Sequence, residues 1–251
     1  MYYVRKGFFV DIGATALIER LPGGGVVKTP LRNPLDPIAE RMNRQNMEYE
    51  VAVYHLLDAA PFIPRLLDWD PASCTLTLEY ASNGSLDAYL KDRPNTDLAT
   101  RLRWASQAAD ALAGLHARGV IHADVAPRNF LLDKNLDLRV CDFAGSSFPS
   151  RQIPPSSPGA RYQARPWKHN YIPDETDDIF GLGSVFYYII AGEEVFSDLE
   201  DEEIERRFQL HQFPSGQNLL QGVIHGCWVG SLTTAVAVAN ALLDCSEKFS
   251  E

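Results

Sequence analysis

The chain is poor in sulfur and carries no cysteine pattern that could organise it. Its four cysteines, Cys74, Cys141, Cys227 and Cys245, are spread over 251 residues with no CxxC or Cys/His spacing. That argues against a zinc site and reads as four reduced thiols. Positive charge is also scarce: 23 Lys and Arg face 33 Asp and Glu, for a net charge of -10. Such a balance opposes a phosphate backbone and sets nucleic acid aside as the main ligand. A nucleotide stays admissible, because backbone amides, one Lys and divalent cations can meet its phosphates. Long hydrophobic runs are missing too. The opening MYYVRKGFFV lacks the apolar run of a signal peptide, and AVAVANALL at 235–243 is too short to span a bilayer. The last four residues, KFSE, are no prenylation box. The expectation is a soluble protein of the cytoplasm or nucleus with no membrane partner.

What is present is an ordinary globular composition, 45% hydrophobic and 22% charged, which argues against disorder. FFVDIG and ATALIERL read as strands around a Gly, and LPGGGVVKTP as a Pro/Gly turn leading into a β-branched run. A helix is expected over 36–58, with Pro37 in its first turn and a broken apolar stripe of Ile38, Met42, Val53, Tyr54 and Leu57. RLLDWD and CTLTLEYA return to strand character. From Leu86 onward helical spacing dominates. RLRWASQAADALAGLHARG places Leu102, Ala105, Ala108, Ala109, Leu112 and Leu115 on one face, with Gly119 at the stop. LDLRVCDF reads as a short strand. The Ser/Pro-rich stretch 146–160 has no periodicity and reads as a surface loop, ordered or mobile. DIFGLGSVFYYIIAG is apolar enough to be a buried helix, and two further helical patterns lie near 200–211 and 233–246. The fold class is α+β: a small β-rich lobe with one helix (residues 1–80), a turn at 81–85, and a larger α-rich lobe (86–251). A cleft between two such lobes suits a small molecule.

One polar turn, HADVAPRN, sets Asp124 and Asn129 five residues apart and then runs into Phe-Leu-Leu. Asp, Pro and Asn are common in any turn; the alternative is a catalytic loop. The order of the surrounding pieces decides. VVK at 26–28, MEYEVAVYHLL, LTLEYA, HADVAPRN, CDFAG, DIFGLG and the late CW at 227–228 appear in the sequence in which the eukaryotic protein kinase family carries its phosphate-holding Lys, its paired Glu, its hinge, its catalytic loop, its metal-binding turn and its buried helices. The likeness spans about residues 7 to 245, and the chain is identified as a divergent relative with a two-lobed kinase-like fold.

The resemblance implies ATP and Mg²⁺ as cofactors and a protein hydroxyl as acceptor, with Ser/Thr favoured. Phosphoryl transfer asks a protein mainly to neutralise charge and align atoms. Lys28 would hold the α- and β-phosphates. Glu50 would support that buried ammonium, with Glu48 the alternative. Asp142 and Asn129 would supply hard oxygens to metal, and Asp124 would orient the acceptor hydroxyl and take its proton. Gly13, Ala14 and Thr15 would approach the phosphates, Ile18 would cover the nucleotide, and Glu79 and Ala81 would meet it at the hinge. Asp178 heads an apolar helix and could be a cap; the resemblance implies instead that it braces the catalytic loop.

The pattern also departs from the family. Asp11 and Ala16 stand where glycines flank Gly13, and Ala123 where an Arg is usual. That Arg normally meets a phosphorylated residue, so regulation through the serines at 146, 147, 150, 156 and 157 is not expected to use it. Ala126 replaces a Lys, and Arg128, four residues after Asp124, could supply the charge instead. Ala144 replaces a Gly, tolerable where φ stays negative. RYQARPW lacks the usual Glu and CWVGSLTTA its Arg partner; losing both halves of a buried pair can be neutral. The acidic run EEVFSDLEDEEIE at 193–205 reads as a solvated helix face, or as a dock for basic partners. Two alternatives stay open: a binding module with little activity, and a small-molecule kinase.

Overall fold

The computed structural model describes residues 5–151, 157–168, 170–215 and 219–247. Five antiparallel strands, β1 (Phe8–Ile12), β2 (Ala16–Arg20), β3 (Gly25–Pro30), β4 (Leu66–Asp70) and β5 (Thr75–Glu79), pair in the order β1-β2-β3-β5-β4. The β2–β3 hairpin closes where Leu21 N–H donates to Gly25 O at 2.8 Å, and Gly24 takes φ 93°, a conformation that costs glycine nothing. β3 is central, and its Lys28 stands in register between Ile18 on β2 and Leu76 on β5. β1 is the edge. Phe8, Phe9, Val10 and Ile12 are exposed there, so its apolar letters mark β propensity and no buried face.

Helix α1 (Pro37–Leu57) lies between β3 and β4 in the chain. Asp36 caps it by accepting from the Ile38 and Ala39 N–H groups, and Pro37 occupies the first turn as expected. The expected stripe holds only in the second half. Ile38 and Met42 are exposed, and the buried face is Met47, Glu50, Val51, Val53, Tyr54 and Leu57. Ile38 at 68% and Met42 at 57% exposure show that the apolar spacing of the first turns buries no face.

The remaining helices are α2 (Leu86–Asp92), α3 (Leu98–His116), α4 (Glu175–Ala191), α5 (Asp201–Gln209), α6 (Gln221–Val229) and α7 (Ala235–Glu247), with a short hairpin of β6 (Phe130–Leu132) and β7 (Leu138–Val140). α3 buries Ala105, Ala108, Ala109, Leu112 and Leu115 as its spacing requires, and packs on α4 and α7. α4 is the apolar axis. Asp174 and Asp177 form its capping box, and Gly192, at φ 78°, ends it. Gly183 lets α6 approach: a Cβ there would sit 2.9 Å from Cys227 Cβ.

The 146–160 stretch needs correction. Ser146, Ser147, Phe148 and Arg151 are buried, because Ile121 and Ser147 exchange backbone hydrogen bonds at 2.8 and 2.9 Å and draw the segment inward. Ser150 and Ser157 are exposed, and Ser156 lies outside the described residues. The acidic run is also less free than a solvated face. Arg161 pairs with Glu194 and Asp201, and Glu203 with Arg206 and Arg207.

Candidate active site

The centre of the molecule is a lysine between two carboxylates drawn from distant parts of the chain. Lys28 Nζ on β3 donates to Glu50 Oε2 on α1 at 2.7 Å and to Asp142 Oδ1, just after β7, at 2.6 Å. Glu50 is 1% exposed and Lys28 9%, so the pairing is desolvated and its bonds are charge-assisted. Burial by itself would lower the Lys28 pKa. The carboxylates of Asp142 and Glu50 overturn that, and the ammonium is held above its usual value. Burial pushes the Glu50 carboxyl up, against Lys28 and a hydrogen bond from the Phe143 backbone N–H. Glu48 is exposed; of the two candidates, Glu50 meets Lys28.

The loop between Val120 and Phe130 is fixed from below. Asp178, in the first turn of α4, accepts from the His122 and Ala123 N–H groups at 2.8 Å each and lies 2.9 Å from His116 Nε2. It braces the loop and does not cap the helix, a task Asp174 performs. Ala123 sits at φ 66°, a strained position for a residue with a Cβ. His122 Nε2 lies 2.9 Å from Cys141 O, which ties the loop to the strand leading to Asp142. Further up, Phe143 packs edge-on against both His122 and Tyr54, with ring centroids 5.5 and 5.2 Å apart.

Asp124 and Asn129 face one another across this loop. Asn129 Nδ2 donates to Asp124 O and Oδ2, each at 2.8 Å, and Arg128 pairs with the other Asp124 oxygen. Burial raises the Asp124 carboxyl above its ordinary value, with the charge of Asp142 adding to the rise. Arg128, His122 and Asn129 oppose it. Asp142 is moved the other way, chiefly by Lys28. Two nearby carboxylates are thus separated in acidity, one suited to a proton and one to a cation. Cys141 N–H donates to Asn129 O at 2.9 Å, so the hairpin brings Asn129 alongside the residue before Asp142. Asp142 takes φ 67°, and Ala144 keeps φ negative in the turn that follows.

The other sequence-derived positions are more scattered in character. Gly13 and Ala14 are exposed in the β1–β2 turn, which Gly13 N–H closes onto Ala16 O at 2.9 Å. Thr15 and Ile18 are half-buried, and Ala81 is buried. Glu79 is exposed and paired with Arg65 at 3.3 Å. A cavity of about 350 Å³ lies beside Arg128, lined also by Asp87, Tyr162, Tyr188, Glu193 and Glu194. Sequence reasoning passed over Arg151, whose guanidinium stacks on Tyr49 at 3.9 Å; an Arg in a Ser/Pro-rich stretch carries no periodic signal.

Residues 35–223 match the family described as the protein kinase domain. The chain belongs to the protein kinase domain family. It is 28% identical over 141 residues to the serine/threonine-protein kinase PDK1 of Cryptococcus neoformans, covering 53% of this chain and 12% of that protein. It is 25% identical over 160 residues to a probable cAMP-dependent protein kinase catalytic subunit of Encephalitozoon cuniculi, covering 63% and 50%. With Aurora kinase A-A of Xenopus laevis it shares 28% over 185 residues, covering 69% and 42%. The chain thus spans between about an eighth and a half of the length of these relatives. Among the described residues no helix is long and apolar enough to cross a membrane.

Proposed function

We propose that the chain transfers the γ-phosphate of ATP to a Ser or Thr hydroxyl of a protein, with residues 1–80 and 86–251 acting as two lobes about a hinge at 81–85. The observation that carries this reading is the Lys28 ammonium held between Glu50 and Asp142 at 2.7 and 2.6 Å. The donor set fits Mg²⁺. Asp142 keeps one oxygen free of Lys28 with its side chain 46% exposed, and both Asn129 amide hydrogens are used on Asp124, so a metal at that side chain meets its oxygen. Two protein oxygens are enough for an ion that retains water and phosphate ligands. Bound there, Mg²⁺ would neutralise charge on the phosphates.

In this reading Lys28 would hold the α- and β-phosphates, and Glu50 holds that ammonium in place. Ala14, Thr15 and Gly13, whose own N–H is used on Ala16 O within the turn, would approach the phosphates, Ile18 would cover the nucleotide, and Glu79 and Ala81 would meet it at the hinge. Asp124, raised by burial, accepts the hydroxyl proton, with Asn129 and Arg128 fixing its two oxygens. The cavity beside Arg128 would take the acceptor polypeptide; its wall carries both signs of charge, Asp87, Glu193 and Glu194 beside Lys91 and Arg128. The Ser/Thr choice follows the Cryptococcus neoformans relative, whose name describes a serine/threonine kinase. Four unpaired cysteines support an intracellular setting.

The test incubates the purified chain with labelled ATP, Mg²⁺ and a generic basic protein, beside Asp124→Asn. Transfer by the parent and a loss of at least about a hundredfold in the variant are expected, the scale for removing a positioned base. Nucleotide binding without transfer to any acceptor identifies a binding module instead, as the single glycine in the β1–β2 turn would allow. Transfer confined to small hydroxyl compounds identifies a small-molecule kinase.

A further inference from the structure

Arg151 lies nine residues beyond Asp142, in a segment whose letters show no periodicity, and it is 9% exposed. A buried guanidinium is costly unless its donors are used. Its Nη1 donates to Ala144 O at 2.7 Å and Ser146 O at 3.3 Å, and its Nη2 to Asn46 Oδ1 at 3.3 Å. Its Cζ lies over the Tyr49 ring, 3.9 Å from the centroid, close enough for a cation–π contact. Among the described residues its Nε–H finds no acceptor. Asn46 and Tyr49 precede Glu50 by four and one residues on α1, and Ala144 follows Asp142 by two. One side chain therefore touches both carriers of the Lys28 carboxylates.

The segment is built to hold Arg151 there. Phe148 and Arg151 exchange backbone hydrogen bonds at 3.0 and 2.8 Å, Ser147 Oγ donates to Arg151 O at 3.2 Å, and Phe148 meets Tyr49 edge-on at 6.5 Å. In the neighbouring loop Ala123 presents only a methyl.

We propose that Arg151 is a positioning residue that clamps α1 to the turn after Asp142, so that Lys28, Glu50 and Asp142 are assembled without phosphorylation of this segment. For turnover the inference rests on the phosphotransfer reading; for geometry it does not. Met at 151 keeps the stem and loses the donors, and the loss of even one charge-assisted hydrogen bond is on the order of tenfold in an equilibrium constant. Lys keeps the charge, reaches one carbonyl, and lacks the planar fork.

The test takes the full chain after phosphatase treatment, beside Arg151→Met and Arg151→Lys. It measures amide hydrogen exchange over residues 42–50 with α4 peptides as the internal reference, and KM for ATP against kcat. The Met variant is expected to exchange at least about tenfold faster over 42–50 with α4 unchanged, and to raise KM for ATP more than it lowers kcat. Lys should restore part of both effects. Phosphatase should leave the parent's exchange unmoved. Unchanged exchange over 42–50 in the Met variant overturns the clamp, as does an equal rise in α4, which would make Arg151 a general stabiliser. Faster exchange of the parent after phosphatase overturns the independence from phosphorylation. A parent that transfers no phosphate defeats the proposed function, and the exchange arm still decides the clamp.

Discussion

Removing charge at Lys28 should damage the fold more than removing the whole buried pair. Lys28→Met leaves Glu50, 1% exposed, without a counter-ion. At 2.7 Å the lost attraction is about 6 kcal/mol at an effective dielectric constant of roughly 20. Desolvating the two ions on folding takes several kcal/mol back, so the pair's net contribution is near zero while breaking it from one side costs about 3–5 kcal/mol. Glu50→Leu should cost less, because the ammonium keeps Asp142 at 2.6 Å. The double variant Lys28→Met/Glu50→Leu should lie within about 2 kcal/mol of the parent. Urea unfolding of the four proteins at pH 7.5 gives the coupling energy, with m-values showing whether all unfold alike. A pH series adds a second check. In Lys28→Met the buried carboxyl has its folded pKa raised above the unfolded value, so its penalty is fully felt at high pH. That penalty shrinks as pH falls through the folded pKa toward the unfolded one. Single-variant costs that add within about 0.5 kcal/mol would refute the coupled buried pair.

Three further outcomes follow from single contacts. Gly183→Ala should destabilise by about 1–3 kcal/mol, since its Cβ would crowd Cys227 and Trp228; a thermal midpoint equal to the parent's would show that α6 yields freely. Asp178→Ala strands the His122 and Ala123 N–H groups in a buried loop and should cost about 2–5 kcal/mol in denaturant unfolding; less than about 1 kcal/mol would mean the loop stands without that brace. Lys28 holds the Asp142 pKa below its ordinary value, so the stabilisation is present above the unfolded carboxylate value near about 3.9 and is lost as pH falls through the lowered folded one. Asp142→Asn should therefore flatten the fall in stability below about pH 4, and an acid limb as steep as the parent's would contradict the pairing.

The letters most legible in the sequence were those whose chemistry is local. Pro37 in the first turn of α1 and the alanine-rich face of α3 follow from backbone geometry alone, and both stand where spacing put them. The Lys28–Glu50 pairing was legible in another way. Spacing within α1 favoured Glu50 over Glu48, but only the crossing of β3 and α1 brings the charges to 2.7 Å. Ile38 and Met42 misled because periodicity reports which residues share a face, and only tertiary contact says whether that face is covered.

The burial of Ser146, Ser147, Phe148 and Arg151 after Asp142 was hidden for a third reason. The order of this stretch comes from bonds to residues elsewhere in the chain, Ile121 to Ser147 and Asn46 to Arg151, which no window of local sequence contains. Arg151 and the depleted loop at Ala123 belong together in this respect. The loop at Ala123 carries no arginine there, while Arg151, buried against α1, reaches both the helix of Glu50 and the turn after Asp142. A chain that fixes that geometry by side-chain packing can keep the charged triad while its glycine turn and loop motifs diverge.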